Sequence, residues 1–247
     1  MDNELKPFWQ RFFNFNWKFG LFLIFLFCIP RFLLVLEANA TGNYGYIGLV
    51  MLASALAPYL FLTKSGRVNI GMVPTNRYGW LLTAFLGGLA VSLLSHFLGQ
   101  VFYGNTYENW YVYIGKSYKI PPQIDQESKL ILFAVMAVTG MTFSPVGEEL
   151  FFRGIVHSSF AKSIGDSKAS LVDSTAFAFT HISHFGLIFL DGQWTLLTIP
   201  ALVWVVSMFL VSMLFFFFKK YSGSVLGAIV CHSAFNLGMI YAIFYLL

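Results

Sequence analysis

The sequence predicts an all-α membrane protein, a polytopic bundle with about seven or eight transmembrane helices. Of its 247 residues, 57% are hydrophobic and only 11% are charged, whereas soluble domains are about half apolar and a quarter charged. The mean hydropathy is +0.71. The apolar residues also form runs of about 18 to 25, the length that a helix needs to cross the bilayer. A soluble domain of this length could not bury so much apolar surface, so lipid must cover part of it.

The apolar runs are interpreted as helices because a helix satisfies all of its own backbone hydrogen bonds in lipid. The predicted spans are residues 19–36, 44–63, 79–103, 130–152, 169–190, 195–218 and 224–247. An eighth element falls in residues 103–124, whose Tyr and Trp content favours a position at the membrane interface. No repeat or linker separates the runs, so residues 1–247 are predicted to form a single membrane-embedded domain.

Basic residues in the short loops predict the orientation of the bundle. They occur in the N-terminal segment and in every second loop, whereas the first and fifth loops contain none. The residues on the basic side are Lys6, Arg11, Lys18, Lys64, Arg67, Arg77, Lys162, Lys168, Lys219 and Lys220. Loops rich in Lys and Arg stay in the cytosol, so the N-terminus is predicted to be cytosolic and the C-terminus outside. Arg31 is an exception, because it lies near the outer end of the first span.

The first apolar run could alternatively be a cleavable signal peptide, since Ala38-Asn39-Ala40 resembles a cleavage site. The run before this site is longer than the apolar core of a typical signal peptide, and Pro30 and Arg31 interrupt it. These features favour a span that is not cleaved.

Composition disfavours several other kinds of site. The net charge of +4 is not arranged as a basic stripe, so nucleic-acid binding is not expected. Cys28 and Cys231 stand singly in apolar runs without metal-ligand spacing, which is typical of small buried side chains.

A charged side chain at membrane depth costs about 2.5–3.5 kcal/mol on insertion scales. Polar residues inside the spans are therefore the main functional candidates.

The first group of such residues ends the fourth span, in residues 144–153 (SPVGEELFFR). Pro145 predicts a kink or the start of a new helical segment. Glu149 and Arg153 are i,i+4 neighbours that can form an ion pair, whereas Glu148 projects about 140° away from Arg153. Glu148 is thus predicted to have no ionic partner and to be free to act as a general base. The alternative is a helix end that emerges into water.

Two further groups lie in the fifth and last spans. His181 is near the middle of the fifth span, with His184 on an adjacent face, and His232 and Asn236 are i,i+4 neighbours in the last span. Such residues often only join helices by hydrogen bonds, but they can also be donors to a developing oxyanion. With the predicted orientation, Glu148, His181 and His232 all fall in the cytosolic half of the bilayer and can meet.

Together, the three groups resemble the motifs of the CAAX-protease and bacteriocin-processing family, also called the Abi family of intramembrane glutamic endopeptidases. The family pattern EExxxR, FxxxH and HxxxN or HxxxD is found here in residues 148–153, 177–181 and 232–236. Each motif alone is weak evidence, but the ordered trio on apolar helices is specific. The resemblance covers residues 140–240 and implies a peptidase core within residues 130–247.

The resemblance implies an intramembrane endopeptidase that uses neither a cofactor nor a metal. The implied catalytic residues are Glu148, His181, His232 and Asn236, and the implied supporting residues are Glu149 and Arg153. Glu148 with His181 would activate a water for attack on a peptide bond near the cytosolic side of the bilayer. His232 with Asn236 would stabilise the oxyanion. Glu149 with Arg153 would hold the helix in place and set the electrostatic environment of the site.

The resemblance also implies a peptide or protein substrate in or at the membrane. Eukaryotic relatives trim prenylated CAAX termini, whereas bacterial relatives are associated with precursor peptides. The compact loops and abundant Phe favour a bacterial plasma membrane, so the expected substrate is a pheromone or bacteriocin precursor or a CAAX-like terminus. The oligomeric state is not predicted.

Three alternatives are considered. Glu148, His181 and His232 could form a zinc ligand set, although the chain has no HExxH motif. Ser224 as a serine nucleophile is rejected, because it lies about 12 Å along one helix from His232. A non-catalytic membrane protein, such as an immunity factor, a scaffold or a small transporter, remains open because polar intramembrane residues also line transport paths.

Overall fold

The computed structural model describes residues 4–247, and the predicted all-α polytopic bundle is confirmed. The helices are α1 (Trp17–Thr41), α2 (Gly45–Phe61), α3 (Lys64–Asn69), α4 (Tyr78–Tyr103), α5 (Trp110–Lys116), α6 (Gln126–Glu149), α7 (His157–Ile164), α8 (Asp166–Thr180), α9 (Thr198–Ser222) and α10 (Val225–Tyr245). Strands β1 (Leu187–Leu190) and β2 (Gln193–Leu196) form an antiparallel hairpin. Short 3₁₀ turns cover Trp9–Arg11 and His181–Ser183, and a π-helix covers Leu150–Val156.

The chain is an integral membrane protein. Within residues 4–247, 5 helical stretches are long and apolar enough to cross a membrane. They are α1, α4, α9, α10 and the continuous stretch Gln126–Ile164. Helix α2 is equally apolar but has only 17 residues. Large apolar side chains such as Leu33, Leu82 and Ile199 are more than half exposed on the outside of the bundle, where lipid rather than water would cover them.

The fifth predicted span, residues 169–190, is wrong as a continuous helix. Helix α8 ends at Thr180, and the chain then forms a 3₁₀ turn and the β-hairpin. Gly186 has φ +115°, and Asp191 and Gly192 have φ +50° and +79°, which is the left-handed pair that a tight hairpin turn requires. Asp-Gly between two apolar runs is a strong hairpin signal, so hydropathy alone misassigned this segment.

The aromatic segment after α4 packs into the bundle through α5. Trp110 and Tyr111 are fully buried. The indole Nε1 of Trp110 donates to Ser95 Oγ at 3.1 Å, and the Tyr111 hydroxyl lies 3.0 Å from Ser92 Oγ. These bonds fix α5 against α4, so the aromatic residues predicted to occupy the interface include two that are buried against protein.

Helix α6 continues through Pro145, so of the two predicted alternatives, a kink or the start of a new helical segment, the second is wrong. The backbone changes to a π-helix only at Leu150, and α7 then completes the helical stretch Gln126–Ile164. A π-helix is uncommon and is frequently found at functional sites. The residues Leu150–Val156 are all buried. The local change of pitch therefore falls directly beside Glu148 and Glu149.

The loops gather at two opposite ends of the bundle. At one end, Lys162 bonds Glu4 at 2.9 Å and Arg77 donates to the Tyr221 carbonyl at 3.0 Å. At the other end, Lys119 donates to the Gly42 carbonyl at 3.0 Å. The first end contains the loops that the sequence analysis assigned to the basic side, and we call it the basic end.

Candidate active site

Glu148 lies near the end of α6 and is only 2% exposed. Its Oε1 accepts hydrogen bonds from Arg31 Nη2 at 3.0 Å and from the Ser144 hydroxyl. Its Oε2 has no hydrogen-bond partner and lies 3.8 Å from His181 Nε2. The prediction that Glu148 would lack an ionic partner is wrong, because Arg31 reaches it from α1. One carboxylate oxygen is thus fixed by two donors, while the other faces the imidazole.

His181 follows the last turn of α8, where the chain enters the 3₁₀ turn. Its Nδ1 lies 2.7 Å from the Phe177 carbonyl oxygen. Because a carbonyl can only accept, Nδ1 carries the proton, and a neutral His181 presents the lone pair of Nε2 toward Glu148. The Phe177 ring lies 4.1 Å from the imidazole centroid. The FxxxH spacing thus provides both the backbone acceptor and the packing surface that orient this histidine.

Glu149 and Arg153 form the predicted i,i+4 ion pair, with Oε2 3.1 Å from Nε. Both side chains are 0% exposed. The guanidinium group lies 4.5 Å from the Phe177 ring centroid and 5.2 Å from that of Phe215. Its Nη2 donates to Ser212 Oγ at 2.5 Å. Aromatic faces and hydrogen bonds therefore replace water around this buried cation.

The third motif contacts Glu149 and the backbone of α6. His232 Nδ1 lies 2.7 Å from Glu149 Oε1, and its ring stacks on Phe215 at 4.6 Å with an interplanar angle of 14°. Asn236 Nδ2 donates to the Gly140 carbonyl at 2.9 Å. The His–Asn pair thus fixes α10 against α6 beside the carboxylates.

The six residues predicted from the sequence lie on α6, on the π-helix, in the 3₁₀ turn after α8 and on α10. The centre contains two acid–arginine pairs, Glu148–Arg31 and Glu149–Arg153, so its formal charge is zero when the histidines are neutral. Burial of four charges is tolerable because each one is paired. Sequence reasoning missed the role of Arg31. A charged residue inside an apolar run was the signal that could have identified it.

A polar cavity of about 90 Å³ lies at the end of the bundle opposite the basic end. His184 lines this cavity, and its ring centroid is 5.3 Å from that of His181. The other lining residues are Asn39, Gly42, Tyr44, Tyr113, Ile114, Lys116, Ser117 and Lys119. Polar groups therefore extend from the Glu148–His181 pair to this end of the protein.

The zinc alternative needs three ligands that converge on one point. Within residues 4–247, no group of three or more His, Cys, Asp or Glu side chains is arranged to hold a metal ion. The Nδ1 atoms of His181 and His232 are occupied by the Phe177 carbonyl and Glu149.

Residues 130–238 match the family described as type II CAAX prenyl endopeptidase Rce1-like. This region of the chain is Rce1-like. The resemblance inferred from the three motifs is therefore confirmed, and the Rce1-like region includes all six predicted site residues but not Arg31. No curated protein and no solved structure gives a significant match.

Proposed function

We propose that this protein is an intramembrane glutamic endopeptidase in which Glu148 and His181 activate a water molecule. The observation that carries the proposal is the facing pair Glu148 Oε2 and His181 Nε2, 3.8 Å apart. Both atoms are acceptors when the acid is ionised and the imidazole is neutral. A water at ordinary hydrogen-bond distances of about 2.8 Å can donate one hydrogen to each. Its oxygen lone pair is then directed away from both, toward a substrate carbonyl.

The surroundings of this pair favour base catalysis. Arg31 and Ser144 fix one oxygen of Glu148, and the Phe177 carbonyl fixes the tautomer of His181. As the water oxygen bonds to the peptide carbon, its proton passes to Glu148 or His181. The same proton then goes to the amide nitrogen as the C–N bond breaks, which yields a carboxyl group and an amine. A positioned base contributes about 10²–10⁴-fold to such a step.

We assign supporting roles to the other motif residues. The Glu149–Arg153 pair and His232 form a buried hydrogen-bonded unit that holds α10 beside α6. Asn236 has one amide hydrogen bonded to Gly140 and a second that can bond the oxyanion. None of these roles requires a metal ion. The substrate we propose is a precursor peptide of the pheromone or bacteriocin type, or a CAAX-like terminus, presented in the membrane.

The proposed orientation has the basic end in the cytosol. Arg31 is 14 residues after the start of α1 and 10 residues before its end, or about 21 Å and 15 Å along the helix. The reaction centre would therefore lie near the middle of the bilayer, deeper than the cytosolic side that the sequence had predicted. Because hydrolysis consumes water, we propose that the cavity beside His184 is the route by which water reaches it.

Replacement of Glu148 by Gln tests the proposal. Glutamine can still accept the hydrogen bonds from Arg31 and Ser144, but it cannot take a proton from water. Peptides from cells that express Glu148→Gln should therefore lack a product present with the wild type, and the purified variant should cleave the precursor at least about 10²-fold more slowly. Mass spectrometry of the peptides and quantification of membrane-inserted protein are the measurements.

Glu127→Gln, at the exposed start of α6, is the matched control and should cleave normally. An unchanged peptide profile for Glu148→Gln, with its biological function retained, would refute the peptidase and favour the non-catalytic alternative. Loss of wild-type cleavage in EDTA that zinc restores would instead favour the zinc peptidase.

A further inference from the structure

We propose that Arg31 on α1 is a catalytic residue, whose free Nε–H group bonds the substrate carbonyl oxygen as that oxygen becomes negatively charged. This inference rests on the peptidase function proposed above. Arg31 is outside the three sequence motifs and outside the Rce1-like region, which begins at residue 130. Its involvement therefore follows only from its contacts in the folded protein.

The donors expected from the motifs are largely occupied. His232 Nδ1 bonds Glu149 at 2.7 Å, so the Nε2 of a neutral ring presents a lone pair rather than a hydrogen. Asn236 has one of its two amide hydrogens bonded to Gly140. The motif residues thus leave a single neutral N–H group for an oxyanion.

Arg31 has an unbonded donor in the same guanidinium group that binds Glu148. The side chain is 5% exposed, and Nη2 bonds Glu148 Oε1 at 3.0 Å. Its Nε is buried and has no acceptor among the described residues. Leaving a buried N–H group unbonded costs free energy. Nε and Nη1 of Arg153 also lack a hydrogen bond, but that guanidinium packs against the Phe177 and Phe215 rings. Arg31 instead binds Glu148 Oε1, and the other oxygen of that carboxylate also lacks a partner, which indicates a site built for a further polar group.

The charges also fit this role. In the resting centre, the positive charge of Arg31 is balanced by Glu148. When Glu148 takes the proton from water it becomes neutral, and a negative charge appears on the carbonyl oxygen at the same step. The guanidinium remains charged throughout. Negative charge therefore moves from one acceptor of Arg31 to another, which stabilises the transition state more than the resting state.

Two variants separate this role from simple packing. Arg31→Lys keeps the charge and can still pair with Glu148, but one ammonium group cannot also reproduce the fixed Nε–H donor. We expect its kcat to fall about 10²–10³-fold with little change in KM. Arg31→Ala should be at least as impaired, and added methylguanidinium should restore part of its kcat. Both are measured on purified full-length protein, with the precursor peptide whose cleavage depends on Glu148.

Arg11→Lys, on the exposed N-terminal turn, is the matched control and should cleave at the wild-type rate. If Glu148→Gln is inactive while Arg31→Lys and Arg31→Ala keep the wild-type kcat, the proposed function stands and the role of Arg31 is refuted. The role of Arg31 is also refuted if folded Arg31→Ala is inactive and methylguanidinium restores none of its kcat, because Arg31 would then act only in packing. If Glu148→Gln itself cleaves normally, the proposed function fails and this inference fails with it.

Discussion

Glu148 and Glu149 are adjacent in the sequence, yet their side chains have different surroundings. Glu148 has one oxygen held by Arg31 and Ser144 and one that faces His181 without a hydrogen bond. Glu149 is enclosed, with Arg153 at 3.1 Å and His232 at 2.7 Å. Two neighbouring acids on a helix point about 100° apart, so one can face the reaction centre while the other binds the helices together.

At the residue scale, we expect the Glu149–Arg153 pair to matter for stability. Arg153→Met removes the cation and leaves a buried carboxylate uncompensated, which should lower the free energy of unfolding by about 3–5 kcal/mol. Adding Glu149→Gln should recover part of this loss, because the unpaired charge disappears. Thermal unfolding in detergent measures both variants. Arg77→Met, at an exposed arginine of the basic end, is the control and should change little. If the double variant were less stable than Arg153→Met, the charge argument would be wrong.

At the element scale, the depths of the three motifs in the predicted spans indicated which helices would meet, including the approach of His181 to Glu148. The i,i+4 spacing predicted the Glu149–Arg153 pair. It could not predict the partner of Glu148, since Arg31 is 117 positions away in the chain. The hairpin after α8 was missed because hydropathy was weighed above the Asp191-Gly192 turn. The π-helix has no sequence pattern of its own, since tertiary packing fixes it.

The close contact between α6 and α2 provides a test at this scale. A Cβ atom at Gly147 would lie 2.5 Å from the Met51 carbonyl oxygen, which is backbone and cannot easily move. Gly147→Ala should therefore destabilise the fold by about 1–3 kcal/mol and displace Glu148, with reduced cleavage. At Gly140 on the same helix, a Cβ would instead meet the flexible tip of Ile240. Gly140→Ala should have a smaller effect on thermal unfolding and on cleavage, and the reverse order would contradict this packing.

At the scale of the whole molecule, the buried centre lies between two chemically different ends. The basic end contains Lys162 and Arg77, whereas the cavity beside His184 lies at the opposite end. If the basic end is cytosolic and water uses this cavity as we propose, water reaches Glu148 from the side of the membrane opposite the cytosol. The substrate can still enter from the lipid side, because a membrane peptide does not need the aqueous cavity to reach the site. Two engineered cysteines, one at each end of the bundle, can therefore test both the orientation and the route of water.

Cysteine labelling tests both parts in a Cys28→Ser, Cys231→Ala background. A membrane-impermeant maleimide added to intact cells should label Ser117→Cys, which lines the cavity. It should label Ser167→Cys, exposed in the first turn of α8, only after the membrane is permeabilised. Labelled Ser117→Cys should also cleave the precursor peptide more slowly than the unlabelled variant, because the adduct fills the cavity of about 90 Å³ that we propose as the route of water. The opposite labelling pattern would invert the orientation. Full activity of the labelled protein would show that water reaches Glu148 by another route.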